Sequence, residues 1–396
     1  MTLLDPDDFT VAATTDLLLP TKRARDIFRQ LIPAFSRRQT IPVLNTVLIN
    51  AGLDGTTFCV TNLDMQITVT ADDLATATPF RACVPFGLLM NIAASANTAL
   101  RVTHLAGDTK GLMPRLCLAT DDGFSATINL ICAPDDFPAF PAQFADHADW
   151  RHATMQPADL LRHLALCQHC ISREETQYCL NGVYLHRKPD AETLRSVATD
   201  GHRLAVIDGS TPWPDVAGTI WPRNLINTLL SGLDARSNEP LHIAVMADQP
   251  RATITTGPVR IEAKLIEGTF PDYTRAIPTA DTVLTATLNA TGLRRLLPLA
   301  SHRSTAVTLM AGRAAIVSPE MGEVSIAVQM SGGDWVDQHT YNDKTVTEKL
   351  GYNLQYLLDQ ARITPEFRLE TNRAAAPAKI YSTDPDAMWV LMPMRV

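Results

Sequence analysis

The sequence predicts an α+β fold in which two helices and a set of antiparallel strands are used three times along the chain. Helices of the same two kinds recur at spacings near one third of the 396 residues. The short strand-like stretches come in runs between them instead of alternating with helices one by one. A Phe-Pro segment closes each of the first two thirds.

Each third opens on an amphipathic helix. Ala24, Ile27, Phe28, Leu31 and Phe35 in the first, Leu160, Leu161 and Leu164 in the second, and Leu293, Leu296 and Leu297 in the third follow spacings of three and four, which gather them on one helical face. A second, leucine-rich helix follows a proline or glycine in Val84 to Ile92, Trp221 to Leu229 and Gly351 to Leu358. Leu88 and Leu225 are 137 residues apart, and Leu225 and Leu354 are 129 apart. β-branched and apolar stretches predict strands at Thr46 to Asn50, Thr57 to Val60, Gln66 to Thr70, Leu241 to Val245, Ala252 to Thr255, Val259 to Leu265, Ala306 to Met310 and Val324 to Gln329. Asp136-Phe-Pro-Ala-Phe-Pro141 and Thr269-Phe-Pro-Asp-Tyr273 end strands and turn the chain. The stretch Val60 to Met65 lies 137 residues before Val197 to His202, the offset of the second helices. These repeats divide the chain into an extension at 1–14, expected to be poorly ordered, and units at 15–143, 144–277 and 278–396.

Composition sets limits. With 46% hydrophobic and 19% charged residues the chain can bury several cores. It has no apolar run of the roughly 18 residues a membrane helix needs, and its first nine residues carry three aspartates and no basic residue, unlike a signal peptide. A cytoplasmic protein with no membrane partner is expected. Seven cysteines, an odd number partly set in apolar runs, fit free buried thiols in a reducing compartment. Lys and Arg number 34 against 42 Asp and Glu, a net charge of −8, so contact with nucleic acid requires a local basic surface. Lys22, Arg23, Arg25 and Arg29 on the first helix, with Arg37, Arg38, Arg162, Arg223, Arg294 and Arg295 on or near helices, supply candidates.

Two groups of residues could carry chemistry. Asp200, His202 and Arg203 sit on a glycine turn between apolar runs, where Asp200 and His202 could pair as carboxylate and general base of a hydrolase. No nucleophile elbow, Walker-type loop or His-Glu-x-x-His accompanies them. His163, Cys167, His169 and Cys170 have metal-like spacing but no second Cys-x-x-Cys; the expectation is two core cysteines and exposed histidines. No catalytic residue, metal ligand or cofactor is assigned.

Five segments taken in order resemble the bacterial DNA polymerase III β subunits, the sliding clamps. They are Ser36-Arg-Arg-Gln-Thr-Ile-Pro-Val-Leu44, Tyr178-Cys-Leu-Asn-Gly182, Ala198-Thr-Asp-Gly-His-Arg-Leu-Ala205, Lys264-Leu-Ile-Glu-Gly-Thr-Phe-Pro-Asp-Tyr273 and Val390-Leu-Met-Pro-Met-Arg395. The resemblance implies three clamp domains per chain and a head-to-tail homodimeric ring around duplex DNA, with twelve helices lining the hole. The ring would be a processivity factor gripping double-stranded DNA without reading sequence. Its implied partners are the α subunit of the replicative DNA polymerase, the clamp-loader complex and other replication and repair proteins that carry clamp-binding motifs. A divergent second clamp copy with an altered partner range is the alternative within the family.

Carried over position by position, the resemblance implies a peptide-binding pocket formed by Leu180, Thr199, Gly201, His202, Arg203, Leu204, Pro271 and Ala276, with Asn353 and Tyr356 and the terminal Val390, Met392, Pro393, Met394 and Arg395. Leu and Phe side chains of partner tails would each contribute roughly 1.5–3 kcal/mol there. The DNA contacts implied are Arg38, Arg173, Tyr178 and Arg223, and Phe124 is placed at the dimer contact. The chain departs from the family pattern at Glu174, Gln177, Cys179, Asn224, Ala276 and Val396. Ala276, where a larger aliphatic residue is usual, would widen the pocket.

Overall fold

In a computed structural model the chain forms two units, one made of the chain up to Pro157 together with Ser231–Lys264, the other of Ala158–Leu230 together with Leu265 to the end. The structure describes residues 14–35, 40–105, 114–130, 132–140, 149–246, 248–279, 281–282, 284–300, 305–310, 312–318, 322–332, 336–341, 344–373 and 375–395.

The first unit holds two antiparallel sheets. One is ordered β1 (Thr14–Pro20), β6 (Ala99–Leu105), β7 (Arg115–Thr120), β8 (Ser125–Asn129). The other runs β5 (Phe80–Pro85), β2 (Thr46–Gly52), β3 (Gly55–Thr61), β4 (Met65–Ala71), β16 (Val259–Lys264), β15 (Arg251–Thr256), β14 (Leu241–Met246), β9 (Trp150–Met155). Helices α1 (Thr21–Leu31) and α2 (Phe86–Ser95) pack on each other. Ala24, Ile27, Phe28 and Leu31 are buried as their spacing predicts, and Phe28 meets Phe86 edge to face at 5.5 Å.

The second unit repeats the plan. Its nine-stranded sheet is ordered β13 (Thr219–Pro222), β10 (Gly182–Arg187), β11 (Thr193–Thr199), β12 (Arg203–Pro212), β26 (Ala387–Leu391), β25 (Ala378–Tyr381), β24 (Glu366–Thr371), β17 (Leu284–Asn289), β21 (Gln329–Gly332). A five-stranded sheet is ordered β20 (Gly322–Ala327), β19 (Arg313–Ser318), β18 (Ala306–Met310), β23 (Lys344–Asn353), β22 (Val336–Tyr341). The helices are α3 (Pro157–Gln168), α4 (Arg223–Gly232), α5 (Ala290–Arg295) and α6 (Leu354–Ile363). On α3, Leu160, His163, Leu164 and Cys167 form the buried stripe that Ala24, Ile27, Phe28 and Leu31 form on α1. Arg162 ties α3 to the β25–β26 turn through Asp384, with Nε and Nη2 donating at 2.8 and 2.6 Å.

Several expectations need correction. Phe35 falls beyond α1, because Pro33 ends the regular helix in a 3-10 turn, Ile32–Ala34; the ring nevertheless packs edge to face on Phe86. Leu88 is 42% exposed where its partner in the repeat, Leu225, is 1% exposed, and Leu297 faces solvent after α5. The strand predicted over Val324 to Gln329 breaks at Val328, whose N–H donates to Gly312, and its halves join different sheets as β20 and β21. Thr14, assigned to the extension, begins β1; residues 1–13 lie outside the described residues.

The repeat is sharpest at two hairpin turns. Thr61 Oγ1 donates to the Met65 carbonyl and accepts from Leu63 N, while Asn62 Oδ1 accepts from Asp64 N and Met65 N. Thr199 Oγ1 donates to the Arg203 carbonyl and accepts from Gly201 N, while Asp200 Oδ1 accepts from His202 N and Arg203 N. The third residue of each turn has a positive φ, 77° at Leu63 and 85° at Gly201. These bonds set the two turns 138 residues apart, not the 137 read from the sequence.

Candidate functional site

The β11–β12 hairpin pairs Thr199 with Leu204 across the turn. β12 then pairs with β26, setting Leu204 opposite Val390. Past Leu391 the chain stays tied, with Met392 N donating to the His202 carbonyl at 2.9 Å and Met394 N to that of Gly351 at 2.8 Å. Beside this seam lies a cleft of about 190 Å³ lined by Leu180, Thr199, Gly201, Arg203, Leu204, Pro271, Asp272, Tyr273, Ala276, Val390 and Met392. Leu180, Val197, Leu204, Val206, Ile220, Phe270, Tyr273 and Val390 form one buried cluster beneath it, and Cys179 and Ala276 pack against that cluster. Such a wall offers apolar contact with few polar groups, the composition of a site for an apolar side chain.

Tyr273 is fixed by a directed chain of hydrogen bonds. Nδ1 of His186 lies 2.6 Å from the Arg187 carbonyl, which can only accept, so Nδ1 carries the proton and Nε2 accepts from the Tyr273 hydroxyl at 3.1 Å. Arg195 Nη1 donates to the same hydroxyl at 3.4 Å, and Arg195 is itself paired with Asp208. Burial holds the His186 imidazole below its ordinary pKa, consistent with the neutral ring. Tyr184 stacks on Phe270 with centroids 4.8 Å apart.

A second, polar cleft of about 880 Å³ adjoins the turn and shares Arg203 with the first. His202, Asn353, Tyr356 and Arg173 line this cleft rather than the apolar one. Asn353 caps α6, its Oδ1 accepting from Gln355 N and Tyr356 N. Arg203 donates to Asp200 at 2.9 Å and to Asp359 at 3.0 Å, and its guanidinium carbon lies 4.4 Å from the Tyr356 ring centre. Burial opposes the charge on Arg203, but the carboxylates of Asp200 and Asp359 outweigh it and hold its pKa above the ordinary value. Pro393 and Met394 are half-buried on the terminal segment, and Arg395 is exposed.

The hydrolase arrangement is not assembled. Asp200 accepts from two backbone N–H groups and from Arg203 Nε, and its contact with His202 is to the backbone, not the ring. The predicted exposure of the two histidines also fails. His163 is buried with Nδ1 2.9 Å from Ser196 Oγ, and desolvation lowers its pKa to about 4. His169 is half-buried, its Nε2 3.1 Å from Gln360 Oε1, and its pKa is likewise lowered, mainly by burial, to about 4. Cys167 and Cys170 are buried, and burial pushes both thiols up. All seven cysteines are free.

Of the residues assigned to DNA, Arg173 is exposed and Tyr178 is 58% exposed. Arg223 donates to the Ile171 and Ser172 carbonyls, holding the segment after α3. Arg38, like Val396, lies outside the described residues. Phe124 is 48% exposed at the β7–β8 turn. The assigned set omitted Asp272 and Tyr273, although both stand in the Phe-Pro-Asp-Tyr segment; Asp272 accepts from Thr274 N and starts the 3-10 turn that carries Tyr273 and Ala276 to the cleft. It also omitted Asp359, which lines the polar cleft and pairs with Arg203 from 156 residues away, so that no local pattern marks it.

Fold and site together define a repeat-built α+β scaffold of the clamp class. Residues 154–272 match the family model described as DNA polymerase III beta subunit, central domain. The beta sliding clamp of Caulobacter vibrioides (strain NA1000 / CB15N) is 30% identical over 370 residues, covering 91% of this chain and 94% of that protein. That of Pseudomonas aeruginosa is 27% identical over 376 residues, with the same coverage of 91% and 94%. The crystal structure of the C. crescentus beta sliding clamp superposes with a TM-score of 0.82 at 25% identity, over 97% of this chain and 99% of that one. The chain belongs to the bacterial beta sliding clamp family, the β subunits of DNA polymerase III, and is a DNA sliding clamp.

Proposed function

We propose that the protein is a non-enzymatic processivity factor: three clamp domains, 15–143, 144–277 and 278–396, pair head to tail with a second copy into a ring that encircles duplex DNA. The apolar cleft at the β12–β26 seam carries the reading, because it offers a partner's Leu or Phe side chain a preformed buried site. Proteins that dock there are tethered to the template, and a polymerase that lets go of the primer end rebinds at high effective concentration instead of diffusing away. The polymerase α subunit and other motif-bearing replication and repair proteins would share the cleft. A separate ATP-driven loader would open the ring, since the sequence has no nucleotide-binding loop.

Edge strand β8 supports ring closure. Among the described residues it has a single partner in its sheet, and Phe124 stands at its start, so a second copy could add a strand there. Arg173, Tyr178, Arg223 and Arg38 are proposed for the DNA side, where contacts to phosphate would be independent of sequence and weakened by salt. Two measurements test the reading. Protein loaded onto nicked circular DNA should slide off once the circle is cut, and retention on linear DNA without end blocks would refute encirclement. A synthetic peptide with a Leu-Phe pair should bind at about micromolar Kd or tighter; binding unchanged in Leu204→Ala/Met392→Ala would refute the cleft as the dock.

A further inference from the structure

We infer that Asp359, on α6, is a positioning residue for the cleft: it holds Arg203, and through Arg203 it fixes the turn that forms one wall of the peptide dock. The inference rests on the reading of the cleft as that dock. Arg203 lines both clefts, and its guanidinium is gripped from two sides, by Asp200 at 2.9 Å and by Asp359 at 3.0 Å, over the face of Tyr356. The side chains involved are nearly enclosed, 13% exposed for Arg203 and Asp200 and 18% for Asp359. Little water competes for these bonds, and charge-assisted bonds in such surroundings are strong.

The two carboxylates do different jobs. Asp200 belongs to the same turn as Arg203, so their contact shapes the turn internally but cannot fix it against anything else. Asp359 ties the turn to a separate helix. That carboxylate is itself held, with Oδ1 accepting from Gln355 Nε2 at 2.8 Å and Arg362 Nη1 at 3.1 Å, and the α6 N-terminus is fixed by the Asn353 cap.

The repeat provides an independent argument. In the β3–β4 turn, Thr61 and Asn62 make the same bonds as Thr199 and Asp200, yet Met65 occupies the position of Arg203. The turn therefore forms without an arginine strap. The strap occurs in the repeat whose seam carries the apolar cleft, where Thr199, Gly201 and Leu204 must present a fixed wall to a ligand. At the β4–β16 seam, beside the turn of the first repeat, a hydrogen-bonded Gln66–Glu262 pair stands instead.

Full-length protein and a fluorescent peptide with a Leu-Phe pair test this by anisotropy, with thermal melting in parallel. Asp359→Asn keeps the shape and removes the charge, and should weaken peptide binding about tenfold. Arg203→Gln should do the same, and the double variant should bind no worse than the weaker single one, because both changes cut one strap. Asp359→Glu, which keeps the charge but moves it by one methylene, should fall between wild type and Asp359→Asn. Wild-type affinity in Asp359→Asn, with or without a lower melting temperature, would overturn the assignment, as would losses that multiply in the double variant. Failure of the wild-type dock is separable: it appears as no response of peptide binding to Leu204→Ala/Met392→Ala.

Discussion

The β4–β16 seam of the first unit and the β12–β26 seam of the second share one backbone plan and differ in what they present. Met65 pairs with Ala263 as Arg203 pairs with Leu391, and Lys264 N donates to the Asp64 carbonyl as Met392 N donates to that of His202. The side chains diverge. Gln66 and Glu262 stand where Leu204 and Val390 stand, hydrogen-bonded to each other at 2.9 Å, and Gln66 Oε1 also accepts from Phe140 N. Beside Phe140 and Glu262 the free space is about 10 Å³, against about 190 Å³ beside Tyr273 and Val390. A polar pair that satisfies itself gives a ligand's apolar side chain no matching surface, whereas the apolar pair at the same register, buried in the cluster beneath the cleft, gives that cleft an apolar floor.

Exchanging the two pairs breaks the comparison most directly. Leu204→Gln/Val390→Glu imports the polar pair into the apolar floor of the cleft, and peptide affinity should fall on the order of 100-fold, since the ligand would then desolvate two polar groups at roughly 1–3 kcal/mol each. Calorimetric titration checks this, and near-native affinity would mean that the seam residues do not determine docking.

The helices packed in the two units differ in the same manner, and pH reads that difference. His163 takes the place on α3 that Ile27 takes on α1, and its ring fits only because residue 209 is glycine, where a Cβ would come within 2.4 Å of Nε2. Its folded pKa of about 4 lies below the ordinary 6.5, so the unfolded chain takes up the proton first. The stability from a neutral His163 is fully present above pH 6.5 and is lost as pH falls toward 4, on the order of 3 kcal/mol in all. Hydrogen exchange should show α3 and β11 losing protection before α1 and β3 as pH is lowered from 7 to 5, after correction for intrinsic rates. Loss of protection in the reverse order would contradict this.

The converse exchange is smaller. Gln66→Leu leaves Phe140 N–H without its acceptor and Glu262 Oε2 without its donor, which should cost about 1–3 kcal/mol in chemical denaturation. Adding Glu262→Val should restore the part due to the carboxylate but not the part due to the orphaned amide.

What the sequence makes legible follows from which forces act locally. The spacing of Ala24, Ile27, Phe28 and Leu31 records a buried helical face, and Phe-Pro-Asp-Tyr records a turn, so helices, repeat and cleft wall can all be read from neighbours in the chain. Strand β1 was also legible in principle, since Leu17 and Leu19 are buried and Leu18 is exposed, but three consecutive leucines mask the alternation. Burial of His163 was not legible. It depends on Ser196 and on the space above Gly209, partners supplied by strands 33 and 46 residues away. The Asp359 strap lies 156 residues from Arg203 for the same reason. The repeat offset is fixed by the threonine that closes each turn, Thr61 and Thr199, and similar letters one position away hide it in the sequence.

The turns themselves allow the finest comparison. Leu63 holds a φ of 77° that costs an L-residue with a Cβ roughly 1 kcal/mol, while Gly201 holds 85° without that cost. Nothing lies within 4 Å of a Cβ placed on Gly201, so Gly201→Ala should destabilise by backbone strain alone, about 1 kcal/mol. Leu63→Gly should stabilise by less than that, because relief of strain is offset by the added freedom of the unfolded chain. Paired denaturation curves would separate these effects. A destabilised Leu63→Gly would mean that contacts of the half-exposed Leu63 side chain, rather than backbone geometry, keep a leucine at that turn.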